Sequence, residues 1–512
     1  MRKTIAFLQD EYWYGGAVND GYIFPLSAES NYEIDLVFNE TYNQVNPLYL
    51  SSKGRYIWLE KAGKISFLSG KIMIDAEEIE VDSSSATLKE AYRKARDKHF
   101  PPKGEMLPEK VFNPQCCSWM ELFYDQEQES ILQYARDFAA VSNQRGIIII
   151  DEGWQMDYGN WEFNLRRFPN PKQFVDELHK LGYLVLLWTC PYISPDSGEF
   201  RELEAKNLVL KDDKGELIIA HWWNGYSALL NLMKPEAQDW INAKFQYLRD
   251  TYGIDGFKLD GGDAQFLPKW YTEANLQNYY WAESIKAEIK ELRACYKLAG
   301  RPIIQRLADK AHIWNVQRIK DEKLPTGGFL RYGFSAIIPN MLTAGITGYT
   351  YSCPDMVGGG LWLDFDKRKT DKELLIRWLQ ASILMPLTQF SSALWNVEEM
   401  GVNKITKKML ALREKFLPYI CHLAEQSITT AEPIVRYMEY DFPNQGMEEV
   451  VSQFMLGDKY LIAPVLEKGA TRKRIYLPNG MWKDYYTGKS YNGGDVVEIP
   501  VDINSLPVFE KL

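Results

Sequence analysis

Four aspartates come directly after short apolar runs of the kind that form buried strands. Asp151 follows four consecutive isoleucines, Asp260 follows Gly256–Leu259, and Asp309 and Asp355 close two later runs. A single aspartate in such a place most often caps the loop or helix that comes next. If the four strands end at one edge, their carboxyl groups form a shared acidic pocket, and such groups serve as acids, bases and nucleophiles in catalysis.

The chain is also rich in large aromatic side chains, with 16 Trp, 31 Tyr and 23 Phe. Flat rings stack on sugars, and several tryptophans lie close to the four aspartates in the sequence. No group of His or Cys residues has the spacing of a metal site, so we expect neither a metal ion nor a cofactor. Paired carboxyl groups beside stacking surfaces indicate glycosidic chemistry. The tryptophans concerned are Trp154, Trp188, Trp222 and Trp223.

The segment Asp255–Asp263, with the sequence DGFKLDGGD, is the most specific chemical signal. Asp260 ends a strand and precedes two glycines, which let backbone and substrate approach closely, as attack at a carbon requires. Lys258 lies two residues earlier, on the same face of the strand, where its charge would keep Asp260 ionised. The alternative is a purely structural Lys–Asp pair at a tight turn between a strand and a helix.

The elements that would position these residues alternate between short apolar runs and longer amphipathic segments, which is typical of repeated βα units. Eight candidate strands fit a (β/α)8 barrel with insertions. The connection between the fifth and sixth strands, Lys297–Arg301, is too short for a helix. The predicted strands are Phe112–Ser118, Ile147–Asp151, Tyr183–Thr189, Gly256–Asp260, Leu292–Tyr296, Pro302–Leu307, Thr347–Ser352 and Pro386–Phe390.

Short alternating runs broken by Gly, Asn and Pro occupy both ends of the chain and indicate β domains. We therefore predict an α/β protein whose (β/α)8 TIM barrel is flanked by an N-terminal β-sandwich and a C-terminal β-sandwich-like domain. The predicted boundaries are residues 1–108 for the sandwich with a linker helix, 109–425 for the catalytic barrel and 426–512 for the C-terminal domain.

Composition excludes several classes of protein. Apolar residues make up 46% of the 512 and the net charge is −10, which favours a globular chain and argues against nucleic acid or an anionic membrane as a partner. Six cysteines do not form a disulfide scaffold. The apolar run Thr4–Leu8 is too short for a signal sequence, so we expect a cytoplasmic protein. Composition does not exclude that the protein forms a homo-oligomer.

Several ordered motifs give the chain a resemblance to glycoside hydrolase family 31, the retaining α-glycosidases with this domain arrangement. Within the family, the motifs resemble the branch of the myogenesis-regulating glycosidase and bacterial α-galactosidases. The resemblance extends over nearly the whole chain. It rests on Tyr12–Gly16, Leu187–Pro191, Trp222–Gly225, Phe257–Asp263, Arg306–Asp309, Pro354–Gly359, Glu373–Leu379 and Leu461–Leu466.

The resemblance implies that Asp260 is the nucleophile and Asp309 the acid/base, since Trp314 follows Asp309 at the family's spacing. Asp321 and Glu322 are rival acids in the next, polar loop. The resemblance also implies a subsite for the sugar to be cleaved, to which we assign Asp263 and Arg306 as well. The predicted substrate-binding residues are Asp151, Trp188, Trp223, Lys258, Asp263, Arg293, Arg306 and Asp355.

Three departures from the family pattern bear on specificity. Arg306 stands where most glucosidase relatives have a tryptophan, Pro354 stands where a histidine is usual, and the nucleophile motif differs from Trp-x-Asp-Met-Asn-Glu. The galactosidase-like branch shares all three. We therefore expect an α-galactosidase acting on a small oligosaccharide or α-glycoside. An α-glucosidase or α-xylosidase of the same fold, and a non-catalytic sugar-binding relative, are the alternatives.

Overall fold

The centre of the molecule is a parallel barrel of eight strands. The computed structural model describes residues 2–37, 43–320, 328–361 and 369–512. Barrel strands 1 to 7 pair in chain order, and the eighth pairs with the first. An isolated bridge between Met356 and Gln389 links the loop after the seventh strand to the eighth strand. The predicted fold class is confirmed. Barrel strands 1 to 8 are Gln115–Cys117, Ile147–Ile150, Leu184–Thr189, Gly256–Leu259, Ile289–Leu292, Ile304–Arg306, Ser352–Cys353 and Gln389–Phe390.

Strands of this kind form where apolar residues must be buried on both faces, because helices cover the outside of a parallel sheet. Barrel strand 2 consists of four isoleucines, all fully buried. At Gly256 barrel strands 4 and 5 come so close that a Cβ atom would lie 2.2 Å from the carbonyl oxygen of Ile289. The register pairs Trp188 with Lys258 and Lys258 with Glu291 across barrel strands 3, 4 and 5.

Helices follow most barrel strands, and the exception lies where the sequence predicts it. Between barrel strands 5 and 6 the chain forms no helix; Cys295–Tyr296 instead pairs with Gln44–Val45 of the N-terminal sheet. None of the helices in the described ranges is long and apolar enough to cross a membrane. The α-helices are Leu88–His99, Trp119–Leu122, Gln128–Ala139, Pro171–Lys180, Gly198–Ala205, Pro235–Tyr252, Ala274–Glu283, Ile337–Ile346, Lys372–Ser382, Val402–Thr430 and Met438–Asp441.

Two predicted barrel strands differ from the observed ones. The fifth was expected at Leu292–Tyr296 but lies at Ile289–Leu292, because the apolar residues after Arg293 leave the barrel for the N-terminal sheet. The seventh was expected at Thr347–Ser352 but is only Ser352–Cys353. The residues before it form the turn that follows the preceding helix.

The N-terminal region is a sandwich of two sheets, one of four strands and one of five. Cys295–Tyr296 supplies an edge strand of the larger sheet. The connection after barrel strand 5 therefore contributes a strand to this sandwich. Its own strands are Arg2–Ala6, Trp13–Ala17, Asn31–Asp35, Gln44–Ser51, Tyr56–Leu59, Lys64–Leu68, Lys71–Asp75 and Ile79–Asp82.

The C-terminal region contains a six-stranded and a two-stranded antiparallel sheet. The helix Leu88–His99, which we call the linker helix, binds this region through a 2.7 Å ion pair from Arg93 to Glu432 and a 3.1 Å pair from Arg96 to the same carboxylate. The strands are Val435–Arg436, Phe454–Leu456, Tyr460–Ile462, Arg472–Leu477, Met481–Asp484, Ser490–Asn492, Asp495–Pro500 and Val508–Lys511.

Two small antiparallel sheets are inserted between barrel elements. After barrel strand 3, Ile219–Trp222 and Gly225–Leu229 form a hairpin, and Tyr192–Ile193 pairs with its second strand. We call Ile219–Leu229 the inserted hairpin. After barrel strand 6, Gln317–Lys320 pairs with Gly328–Arg331.

Candidate active site

All four strand-end aspartates lie at the carboxyl end of the barrel. Asp151 and Asp260 directly follow barrel strands 2 and 4, and Asp309 and Asp355 lie in the loops after barrel strands 6 and 7. Because all eight strands are parallel, these positions face one another at one mouth of the barrel, where enzymes of this fold have their active sites. Ion pairs connect the four carboxylates through Lys258 and two arginines.

Asp260 is buried and surrounded by positive charge. Its Oδ1 accepts hydrogen bonds from Arg293 Nε and from the backbone N–H of Gly261, and its Oδ2 accepts one of 2.9 Å from Trp188 Nε1. Lys258 Nζ lies 3.6 Å from Oδ2. Burial alone would raise the pKa of Asp260, but the charges of Arg293 and Lys258 outweigh it and hold the pKa far below its ordinary value. These charges therefore favour the ionised form of the carboxyl group.

Lys258 joins two of the predicted site residues. Its Nζ donates a 2.7 Å hydrogen bond to Asp151 Oδ2, and each of the two side chains is only 3% exposed. Burial lowers the pKa of the ammonium, but the nearby Asp151 charge outweighs this and raises the pKa above its usual value. Cys117 Sγ also donates to Asp151, at 3.0 Å. Lys258 therefore remains charged between the second and fourth barrel strands.

Arg306 is buried at the centre of the carboxylates. Its Nη1 donates to Asp309 Oδ1 and lies 3.3 Å from Asp355 Oδ1, while Nη2 lies 3.9 Å from Asp260 Oδ2. Its Nε lies 3.7 Å from Glu291 inside the barrel. Asp309 differs from the other three aspartates because its side chain is 34% exposed. Its carboxyl group is therefore accessible to solvent and to a bound molecule.

Asp355 connects the loops after barrel strands 6 and 7. Its carboxylate accepts hydrogen bonds from the backbone N–H groups of Lys310, Met356 and Gly360. Its own φ is +128°, a conformation that costs a non-glycine residue energy and occurs mainly at functional sites. Burial raises the pKa of Asp355 to about 6, and the charge of Asp309 adds to the rise.

Asp263 lies behind Arg293 rather than at the pocket surface. Arg293 Nη2 is 2.5 Å from Asp263 Oδ2 and Nη1 is 3.3 Å from Oδ1, so both carboxylate oxygens bind the guanidinium. Asn43, from the N-terminal sandwich, donates its backbone N–H to Asp263 and accepts from Arg293 Nη1. The sandwich therefore takes part in orienting the arginine that holds Asp260.

The tryptophans divide between core and pocket. Trp188 is 1% exposed and contributes its N–H to Asp260, whereas Trp223 is 38% exposed and lies under the Arg293 guanidinium, 5.3 Å from it. Trp154 and Trp222 are buried, and the N–H of Trp154 donates to the Trp188 carbonyl. Of the four rings expected to stack on a ligand, only Trp223 presents a partly open surface.

The structure places three further charged residues in the pocket that the sequence analysis did not predict. Glu152 comes directly after Asp151, Glu291 points into the barrel from strand 5, and Lys310 comes directly after Asp309. Lys310 Nζ donates to the carbonyl oxygens of Ala308 and Pro354, so it joins the same two loops as Asp355. Charged residues adjacent to strand ends, or inside a strand with alternating burial, are the signal that could have identified them.

Two other expectations concern this end of the barrel. The rival acids Asp321 and Glu322 lie outside the described residues. Within the described ranges no group of three or more His, Cys, Asp or Glu side chains has the arrangement of a metal site. The charges that face the carboxylates belong to lysine and arginine side chains.

Comparison with known proteins agrees with this architecture. The chain is 28% identical to the myogenesis-regulating glycosidase of Mus musculus over 75% of its own length and 54% of that protein. It is 25% identical to Alpha-glucosidase 2 of Bacillus thermoamyloliquefaciens, over 76% of the chain and 51% of that protein. The chain thus spans about half the length of these curated relatives.

Solved structures show the same fold. The GH31 alpha-xylosidase from a soil metagenome, complexed with xylose, superposes with a TM-score of 0.78 at 21% identity, covering 100% of this chain and 79% of that one. The model of the glycosyl hydrolases family 31 TIM-barrel domain matches residues 104–312 and 332–423, and that of the family 31 C-terminal domain matches residues 431–511. The chain belongs to glycosyl hydrolase family 31.

Proposed function

We propose that this protein is a retaining α-glycosidase in which Asp260 is the nucleophile and Asp309 the acid/base. The observation that carries the proposal is the difference between the two carboxyl groups. Asp260 is 5% exposed and kept ionised by Arg293 and Lys258, as a nucleophile must be. Asp309 is one-third exposed, and Arg306 connects it to Asp260. A proton donor must be open to the leaving group in this way.

The reaction would proceed by double displacement. A carboxylate oxygen of Asp260 attacks the anomeric carbon and forms a glycosyl ester, while Asp309 gives its proton to the departing glycosidic oxygen. Water then attacks the same carbon with Asp309 as base, and Asp260 leaves as a carboxylate. Two inversions retain the α-configuration. Lys258, Asp151 and Arg293 fix the nucleophile, and Trp223 offers the open ring face for the sugar.

Galactosides are the proposed substrates, with α-glucosides and α-xylosides as the second candidate. Arg306 supports the first choice. It places a buried positive charge between Asp260, Asp309 and Asp355, at a sequence position where the family resemblance gives most glucosidases a tryptophan. The glucosidase and xylosidase names of the relatives described above support the second candidate.

A panel of 4-nitrophenyl α-galactoside, α-glucoside and α-xyloside tests the proposal. We expect the highest kcat/KM on the galactoside, and proton NMR of early product should show the α-anomer first. A higher value on the glucoside or xyloside would move the substrate assignment to the second candidate. An initial β-anomer would refute retention. Binding of galactose without release of nitrophenol from any member of the panel would indicate the non-catalytic alternative.

A further inference from the structure

Glu152 is a buried carboxylate that the proposed mechanism does not use. It directly follows Asp151 at the end of barrel strand 2 and is 2% exposed. Its Oε1 accepts hydrogen bonds from the hydroxyl of Tyr158, at 2.5 Å, and from the side-chain amide of Asn224. Its Oε2 accepts one of 3.1 Å from Trp223 Nε1. Two of its three partners are thus the adjacent residues at the tip of the inserted hairpin.

The environment of Glu152 differs from that of the other acids in the pocket. Asp151, Asp260 and Asp309 each form an ion pair with Lys or Arg, whereas Glu152 forms none among the described residues. Burial raises the pKa of Glu152 to about 8, and the charges of Asp151 and Asp260 add to this, although hydrogen bonds from Tyr158 and Trp223 oppose it. An apolar side chain would avoid this cost. A carboxyl group is therefore present here for the hydrogen bonds that it makes.

One of those hydrogen bonds fixes Trp223, which has a partly open surface in the pocket. Trp223 packs against the guanidinium of Arg293, and Arg293 Nε binds the nucleophile Asp260. Its neighbour Asn224 also donates to the Tyr158 hydroxyl, at 2.6 Å, and accepts from the Tyr124 hydroxyl, at 3.1 Å. The hairpin tip is thus tied to the barrel through one polar network, and Glu152 accepts from three of its members.

We propose that Glu152 is a positioning residue that fixes the tip of the inserted hairpin, and with it the Trp223 ring, against the substrate pocket. This inference rests on the proposed function, because it assigns Trp223 to the binding of a glycoside. Glu152 does not contact the substrate itself, since both of its oxygens are occupied and the side chain is buried. Its effect reaches the substrate through Trp223.

Steady-state kinetics of Glu152 variants test the assignment on the best substrate of the aryl glycoside panel. Glu152→Ala removes the two oxygens that accept all three hydrogen bonds, and we expect KM to rise about tenfold while kcat changes less than about threefold. Glu152→Gln keeps the shape and one acceptor oxygen, so it should restore part of the loss. Glu216→Gln is the matched control, because it removes an exposed carboxylate on the segment that leads into the hairpin. It should leave both constants unchanged.

A double-mutant cycle shows whether Glu152 acts through the ring. Trp223→Phe keeps an aromatic face but removes the N–H that donates to Glu152. In that background Glu152→Gln should change KM by less than about twofold, because the shared hydrogen bond is already absent. Fully additive effects of the two substitutions on KM would overturn the proposal, as would a fall in kcat at constant KM.

Hydrogen exchange separates this inference from the proposed function. In the full-length protein without substrate, Glu152→Ala should speed amide exchange in Ile219–Leu229 and leave barrel strand 2 unchanged. This readout needs no activity, so it remains valid if the protein cleaves no glycoside. In that case faster exchange supports the positioning of the hairpin, and only the assignment of Trp223 to substrate fails. Unchanged exchange in the hairpin would refute the positioning role.

Discussion

At the scale of single residues, the pocket keeps one carboxylate ionised by placing cations beside it. Asp260 contacts Arg293 and lies near Lys258 and Arg306, and these charges overcome a burial that would otherwise favour the neutral acid. Low exposure also strengthens each interaction, because water no longer screens it. The same burial, without a cation, gives Glu152 a raised pKa. The environment therefore separates carboxyl groups of one chemical type into different roles.

Substitution of the two proposed catalytic carboxyl groups should have different kinetic effects. We expect Asp260→Asn to lower kcat/KM on every substrate by on the order of 10⁴-fold or more, because no nucleophile remains. Asp309→Asn should lower kcat/KM about 10²- to 10⁴-fold for a substrate with a sugar leaving group. The loss should be far smaller for a 4-nitrophenyl glycoside, because 4-nitrophenol needs no proton to depart.

The exposed residue Asp196, in the loop after barrel strand 3, provides a control carboxylate. Asp196→Asn should match the wild type on both substrates. Equal losses for Asp309→Asn on activated and unactivated substrates would argue against its role as the acid.

The Lys258–Asp151 pair should be important for stability as well as catalysis. Lys258→Met leaves Asp151 buried without its main partner, and we expect a loss of about 3–5 kcal/mol in the free energy of unfolding. Lys206→Met breaks an exposed pair with Glu202 of the same 2.7 Å length and should cost less than about 1 kcal/mol. Urea unfolding of both variants measures the difference. Equal losses of unfolding free energy in the two variants would show that the buried pair stabilises the protein no more than the exposed pair does.

At the scale of elements, the sequence predicted what depends on local pattern. Runs such as Ile147–Ile150 identified most barrel strands, because an apolar run of that length must be buried. The short link Lys297–Arg301 also correctly excluded a helix. The fifth strand was misplaced because Cys295–Tyr296 is a strand too, but its partner is in another domain. Local pattern shows that a segment is extended but not which sheet it joins.

The same limit applies to the site. Aspartates at strand ends were found because each follows a recognisable run, but the contacts of Trp223 and Asn224 with Glu152 connect residues about 70 positions apart. Trp154 was wrongly expected at the pocket surface because its position in the sequence is close to Asp151. In the structure its ring is in the core, against Phe163.

Barrel strands 4 and 5 approach each other so closely at Gly256 that a larger side chain there should destabilise the barrel. Gly256→Ala places a methyl group against the Ile289 backbone, and we expect a loss of about 1–3 kcal/mol in unfolding free energy. Gly198→Ala is the control, because a Cβ there meets no atom within 4 Å and the residue begins a helix. That substitution should be neutral or slightly stabilising. Equal unfolding midpoints for the two variants would contradict the packing argument.

At the scale of the whole molecule, the terminal regions do more than flank the barrel. Asn43 of the N-terminal sandwich contacts both Arg293 and Asp263, so the site includes a residue from another domain. The linker helix binds the C-terminal region through Arg93 and Arg96. We propose domain boundaries at residues 108 and 425 between units that remain in contact, the second of which lies within the helix Val402–Thr430 rather than in a loop.

The contact between linker helix and C-terminal region should depend on pH. Burial alone would raise the pKa of Glu432, but hydrogen bonds from Arg93 and Tyr440 outweigh it, so the pKa lies below its ordinary value. The stabilisation is therefore present above about pH 4.3, the ordinary value for Glu, and is lost as the pH falls through the folded pKa.

Glu432→Gln should accordingly cost about 1–2 kcal/mol of unfolding free energy at pH 7 and little at pH 3. Thermal unfolding of both proteins across this range measures the effect. Glu204→Gln, which alters a partly exposed pair with Lys211, serves as the control and should change little at either pH. A constant difference between Glu432→Gln and the wild type at all pH values would contradict the assignment.

The most direct test of the account is to trap the covalent intermediate. The protein would be incubated with the 5-fluoro-glycosyl fluoride of the best sugar in the panel, digested with protease, and the labelled peptide sequenced by mass spectrometry. We predict one sugar per chain, attached to Asp260, and no label on Asp260→Asn. A label on another carboxyl group, or steady turnover of glycosides with no adduct on Asp260, would contradict the proposal that Asp260 is the nucleophile of a retaining glycosidase.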